Sequence, residues 1–234
     1  MCDAAYTEAM KAPGITKTRS DTVYAQLRND LLQGEFEPGA KLRITELANR
    51  YNCSPSVLRE VLNRLSQQAL VVAIPQRGFA VPELTVEALL DLRHARILVE
   101  TMALRESITH GDLQWESDVL AAHHRLQQTH QVDQGGHLTG EWEQAHNHFH
   151  YTLLAGGLSK VLTEVAVGLR DRSQLFVHWS RELVKDDDRD VPAEHKLIAE
   201  TTLARDADAA AEALKAHIER SAQVLLDYAG QPVE

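Results

Sequence analysis

Histidine is the residue type that could do chemistry here, and its distribution is lopsided: all 12 lie at or beyond His94. Neutral imidazole is a common transition-metal ligand and the side chain most easily switched near neutral pH. His146 and His150 are four apart, one turn along one face of a helix, which is the spacing that helical metal sites use. Taken alone, such a pair on an amphipathic helix arises by chance more often than as ligands. His195 and His217 are 22 apart, each near the inward face of its own predicted helix. If those helices run antiparallel, the two rings can meet. His94, His110, His123, His124, His130 and His137 read as surface or packing residues, His148 points to another side of its helix, and His178 stays ambiguous. No nucleophile–base pair, phosphate loop or carboxylate pair reads as a reaction centre. A site built on these histidines binds rather than turns over.

A second set of residues suits a different chemistry, contact with a polyanion. Ser54 before Pro55 is a helix N-cap with proline at the first helical position, where a hydroxyl and free backbone N–H groups suit a phosphate. Ser56 follows at the same end and Arg59 projects one turn later. Arg77 and Gly78 form a turn whose glycine permits close approach and whose arginine suits a minor groove. Arg43 is a candidate backbone contact. By itself Ser54 need only cap its helix, and Arg59 need only pair with a carboxylate.

The elements that must position these residues follow from periodicity. Ser20 is read as a cap, with Val23, Leu27 and Leu31 recurring every four residues and Gly34 as the stop. Thr45 is read as the cap of a short helix ending at Asn52, and 54–68 follows with Leu58, Val61, Leu62 and Leu65 on one face. Two β-prone runs, 70–74 and 79–81, joined by a glycine-containing turn, make a hairpin. Three helices and a hairpin in about 60 residues predict a winged helix-turn-helix, which sets a recognition helix in a DNA major groove. From Thr85 onward the pattern is helical over roughly 85–109, 113–131, 138–155, 159–182, 192–204 and 207–229, broken at 111, 135–136, 156–157, 185–190 and 206. Six helices without a strand predict an antiparallel bundle. The fold class is therefore mainly α, with a flexible arm at 1–18, a winged helix-turn-helix DNA-binding domain at 19–82 and a helical domain at 83–230, for which the resemblance given below implies effector binding and dimerisation.

Composition agrees with two units. The 234 residues are 44% hydrophobic and 25% charged, which excludes disorder as the main state. Residues 1–82 carry 10 Lys and Arg against 8 Asp and Glu, a net of +2; residues 83–234 carry 14 against 26, a net of −12, making the total of −10. That acidity argues against nucleic acid coating the whole surface but leaves room for a small basic head. No apolar run reaches the roughly 18–20 residues of a membrane span, and the N-terminus lacks a secretory pattern. Two cysteines, Cys2 and Cys53, give no disulfide framework, so a cytoplasmic chain is expected. One such head binds DNA weakly at physiological salt, so a homodimer on a palindromic operator is expected.

Residues 20–82 resemble the N-terminal domain of GntR-family transcription regulators through LLQGEFEPGAKL, ELANRYNCSPSVLREVLNRL and ALVVAIPQRGFAV. Residues 85–229 resemble the helical FCD effector domain of the FadR-like branch through DLRHARILVETMAL, HNHFHYTLLAGG and EHKLIAETTLARDADAAAEALKAHI, and six bundle helices are similar to the VanR-type subgroup. The resemblance implies operator contact by Arg59. It also implies a divalent metal on His150, His195 and His217, with His146 standing where the family usually has Asp. An all-imidazole set favours Zn²⁺, then Ni²⁺ or Co²⁺, over Mg²⁺ or Ca²⁺. In the family the metal's open positions take the carboxylate of a small organic acid, helped by an arginine of the first bundle helix. Arg96 in RHARILVE matches that arginine and Glu100 the acid one turn later, although their spacing alone gives only a helix ion pair of about 0.2–0.5 kcal/mol. WESDVLAAHHRL and EWEQAHNHFHYTLLAGG are similar to glutarate-responsive repressors of the family, which implies a short dicarboxylate, with lactate- or gluconate-like acids behind it. Pro55 stands where many relatives carry arginine, so one base contact is absent. Gln68 and Ala69 replace the usual Glu-Gly before the wing. The rival readings are a metal-dependent hydrolase and a structural bundle whose histidines merely pack.

Overall fold

A computed structural model describes residues 18–133, 135, 138–179 and 189–229. Except for Thr18, the predicted arm lies outside the described residues, as do His137, residues 185–188 of the predicted break and the side chain of His178. The head begins with α1 (Arg19–Leu32), whose cap is Thr18 in a reciprocal capping box with Asp21, two residues before the predicted cap. Ser20 is instead buried and donates to Glu60 at 2.7 Å. Helix α2 (Ile44–Arg50) starts from Arg43 without a side-chain cap, so Thr45 lies inside it. Asn52, at φ 49, makes the tight turn into α3 (Pro55–Gln67), which Ser54 caps by accepting from the Val57 N–H.

The wing has one more strand than the sequence pattern shows. Strand β1 (Lys41–Leu42) precedes α2, and β2 (Val72–Ile74) and β3 (Gly78–Ala80) form the hairpin, giving an antiparallel order β1-β3-β2. Two residues carry no readable alternation, and only the pairing of Lys41 and Leu42 with Ala80 and Phe79 makes β1 a strand. Ala69 sits at φ +55 at the turn after α3. A Cβ disfavours this conformation, so the glycine that the family resemblance implies here would sit with less strain.

The second unit is α4 (Val86–His110), α5 (Leu113–Gln128), α6 (Gly140–Leu153), α7 (Lys160–Trp179), α8 (Val191–Leu203) and α9 (Ala207–Ala229). Its core joins Leu104, Ile108, Phe149, Leu153, Ile198, Leu214 and Ile218, each at or below 3% exposure. Each such side chain stabilises the fold by roughly 1.5–3 kcal/mol. Trp115 needs small neighbours: a Cβ on Gly156 would meet its ring at 2.8 Å. The head has its own core of Val23, Leu27, Leu31, Leu58, Leu62 and Leu65, and Leu175 of α7 belongs to it. Asp171, one turn earlier on α7, pairs with Arg28 of α1 and accepts from Tyr151 of α6 at 2.6 Å. No helix among the described residues is long and apolar enough to cross a membrane.

Candidate metal centre and DNA-reading face

Three helices bring the four histidines together. Thr139 caps α6 and so fixes the phase that turns His146 and His150 inward. Asp190 caps α8, with proline in its first turn, and sets His195 one turn in. A reversal through Arg205, at φ 59, returns the chain as α9, which carries His217 back to the same depth. The His195 and His217 ring centroids are 4.8 Å apart, and those of His146 and His150 are 4.7 Å apart. The ring nitrogens that can ligate an ion all lie within 4.8 Å of one another. His150 Nε2 and His195 Nε2 are separated by 3.2 Å. Two ligands about 2.0–2.1 Å from one zinc ion stand about 3.3 Å apart at a tetrahedral angle, so this separation fits a shared ion.

The electrostatics keep the four rings neutral. Burial pushes His146 and His150 well below the ordinary value of 6.5, and the neighbouring imidazoles and Arg170 push the same way. Burial and His217 hold His195 at about 2, and burial also lowers His217. A neutral imidazole offers the lone pair that a metal needs. His217 Nδ1 stands 2.8 Å from Glu194 Oε2, which directs its other nitrogen to the cluster. Glu194 is held by two bonds from Arg189, at 2.9 and 2.7 Å. Although burial opposes its charge, the bonds from His217 and Arg189 bring its carboxyl down to about 2.

A cavity of about 190 Å³ opens beside the histidines. Arg96, Arg170, Arg189, Ser173, His146 and His217 reach it, and Trp142, Val177 and Val224 supply apolar wall. The predicted pair Arg96 and Glu100 is buried, at 7% and 0% exposure, so the weak surface ion pair of the bare spacing does not describe it. Arg96 Nε donates to Glu100 Oε1 at 2.6 Å, and its terminal nitrogen donates to Ser173 Oγ at 2.8 Å. Sequence reasoning missed Arg170, Arg189, Glu194 and Ser173. For Arg170 a signal existed: Ala166, Arg170 and Ser173 follow the 3–4 spacing of a buried helix face.

On the head, Arg59 and Arg77 are exposed, and Arg59 makes no ion pair among the described residues. Gly78, at φ +95 with open space around a Cβ position, shapes the wing tip. Ser54 Oγ also lies 2.9 Å from Ser56 Oγ, and exposed Arg43 pairs with Glu46 at 2.9 Å.

Both units match known families. Residues 19–81 match the bacterial regulatory proteins of the gntR family, and residues 91–220, more than half of the chain, match the FCD domain. The chain is a GntR-family regulator with an FCD domain. The regulator is 32% identical to the uncharacterized HTH-type transcriptional regulator BphR of Paraburkholderia xenovorans, across 97% of this chain and 93% of that one. It is also 32% identical to the HTH-type transcriptional repressor GlaR of Escherichia coli, across 83% and 90%. E. coli McbR/YncC has the same fold at TM-score 0.77 and 20% identity, covering 91% of this chain and 99% of that one. The families and relatives are transcriptional regulators and not enzymes, so the hydrolase reading falls.

Proposed function

We propose that the regulator is a homodimeric repressor whose grip on a palindromic operator is set by a short organic acid bound at a divalent transition metal. Four neutral imidazoles whose nitrogens converge within 4.8 Å carry the reading. Without a cation, the converging lone pairs would face one another in a buried site, where unsatisfied polar groups are costly. His146, His150, His195 and His217 hold the ion, and zinc suits this all-nitrogen set first, nickel or cobalt next. The ion supplies a positive, incompletely coordinated centre for a carboxylate. Arg96 binds the acid and Glu100 orients Arg96. A cavity of about 190 Å³ lined by arginines suits a short dicarboxylate.

In the head, residues 19–82, Arg59 with Ser54 and Ser56 reads or anchors the major groove, Arg77 and Gly78 enter from the wing, and Arg43 takes a backbone phosphate. The sensor, residues 83–230, also supplies the dimer contact. Leu98 and Met102 on α4, with Val161 and Val165 on α7 packed beside it, are 48–70% exposed and support such a contact. Repression is favoured by the description of one relative as a repressor. Coupling of about 1–3 kcal/mol between acid and operator changes affinity roughly 5–150-fold.

Metal analysis of the purified chain should give close to one ion per chain, and less than about a tenth overturns the metal reading. On the loaded protein, a panel of C3–C6 acids should raise the melting temperature for short diacids. The same acids should release the chain's own upstream DNA in a gel shift.

A further inference from the structure

Arg170 is the least satisfied buried charge among the described residues. It lies on α7 at 3% exposure, borders the cavity, and its one ion pair among them is a terminal-nitrogen bond to Glu100 at 3.3 Å. Its Nε has no hydrogen-bond partner there. A buried guanidinium N–H left unpaired costs about 1–3 kcal/mol or more, so such a donor beside a cavity marks the place of an absent acceptor. Glu100 accepts from a terminal nitrogen of Arg170 and not from its Nε, and it is shared with Arg96, whose nitrogens reach both of its oxygens at 2.6 and 3.4 Å.

Charge counting says what the acceptor is. Among the described residues, Arg96, Arg170, Arg189 and Glu143 line the cavity, and Glu100 and Glu194 hold the three guanidinium groups, while an imidazole that ligates a metal does so in its neutral form. These six formal charges cancel, so a divalent ion on the histidines leaves the site at +2. The complement is a dianion. Without Arg170 the balance falls to +1, which a monoanion meets. Ser173, three residues along the same helix, accepts from Arg96 at 2.8 Å and so ties that guanidinium to the helix that carries Arg170.

We propose that Arg170 binds the effector directly, donating Nε–H to a carboxylate oxygen, and that it sets the preference for acids with two carboxylates over acids with one. This rests on the effector reading above and adds a residue to it. It is tested by titration calorimetry on zinc-loaded, full-length protein with glutarate and pentanoate, which share five carbons and differ in one carboxylate. Wild type should bind glutarate at least tenfold more tightly. Arg170→Gln should weaken glutarate by about 10- to 100-fold and leave pentanoate within about threefold, so that the preference collapses. Equal losses for both acids, or an unchanged ratio, overturn the proposal. If Arg170→Gln does not fold by circular dichroism, Arg170→Lys decides: it keeps the charge and loses the Nε donor. Glutarate should then weaken at least threefold with pentanoate unmoved, and full wild-type affinity overturns the assignment. Wild-type protein that holds zinc but binds neither acid fails the effector reading itself, and this proposal with it.

Discussion

In an unfolded chain His195 titrates near 6.5; in the folded protein burial and His217 hold it at about 2. His146, His150 and His217 are shifted in the same direction. Below pH 6.5 the unfolded state therefore binds protons that the folded state refuses, and stability rises with pH wherever the unfolded state binds more. The contribution is complete above about 6.5 and shrinks as pH falls. Calorimetry of the metal-free chain should show a melting temperature that drops steadily from pH 7 to pH 5. A flat profile would mean that the folded rings take up protons over the same range as the unfolded ones. Glu194 offers a second test at the same scale, because it contacts the His217 ring at the nitrogen turned away from the cluster. Glu194→Gln should lower zinc affinity about 10- to 100-fold in a chelator competition. Ala69 offers a third: Ala69→Gly relieves a Cβ at φ +55 and should stabilise the protein by about 1 kcal/mol in denaturant unfolding.

Among the elements, α7 has the widest reach. Its Arg170 faces the cavity, and Asp171, next along, faces away to hold Arg28 of α1 and Tyr151 of α6. These contacts, with Leu175 in the head's core, join the two units at a second place besides the chain connection at 82–85. Arg28→Gln should leave acid binding within about threefold while reducing the acid's effect on operator affinity in a gel shift. An unchanged response would remove α7 from the route. What periodicity could reveal was the set of long elements: α3 from Ser54-Pro55, and the bundle helices from their apolar stripes. Strand β1 was illegible because pairing with β3, rather than its own two residues, makes it a strand. Spacing and helix position singled out the four histidines and the family resemblance made them a ligand set, whereas Arg189 and Glu194 act through contacts between distant segments that no local pattern encodes.

Across the whole molecule, charge is segregated between the two units, with a net of +2 over residues 1–82 and −12 beyond. Operator affinity should fall steeply with salt, because the few head cations act on phosphates. Arg59→Ala should cost about 1–3 kcal/mol, roughly 5- to 150-fold, by gel shift at fixed salt. Met102→Glu with Val165→Glu, placed on the exposed face of α4 and α7, should shift sedimentation from dimer to monomer and weaken binding to a two-half-site operator far more than to one half-site. Leu175 carries a different consequence. This side chain is borne by the sensor yet is fully enclosed in the head's core, at 1% exposure. A head severed near residue 82 would retain its own sequence and lose its plug, leaving a void of the kind that costs about 2–5 kcal/mol. The two halves are therefore not freely interchangeable cassettes. A head transplanted onto another sensor would keep its stability only where the recipient's helix presents a leucine-sized group at the same place.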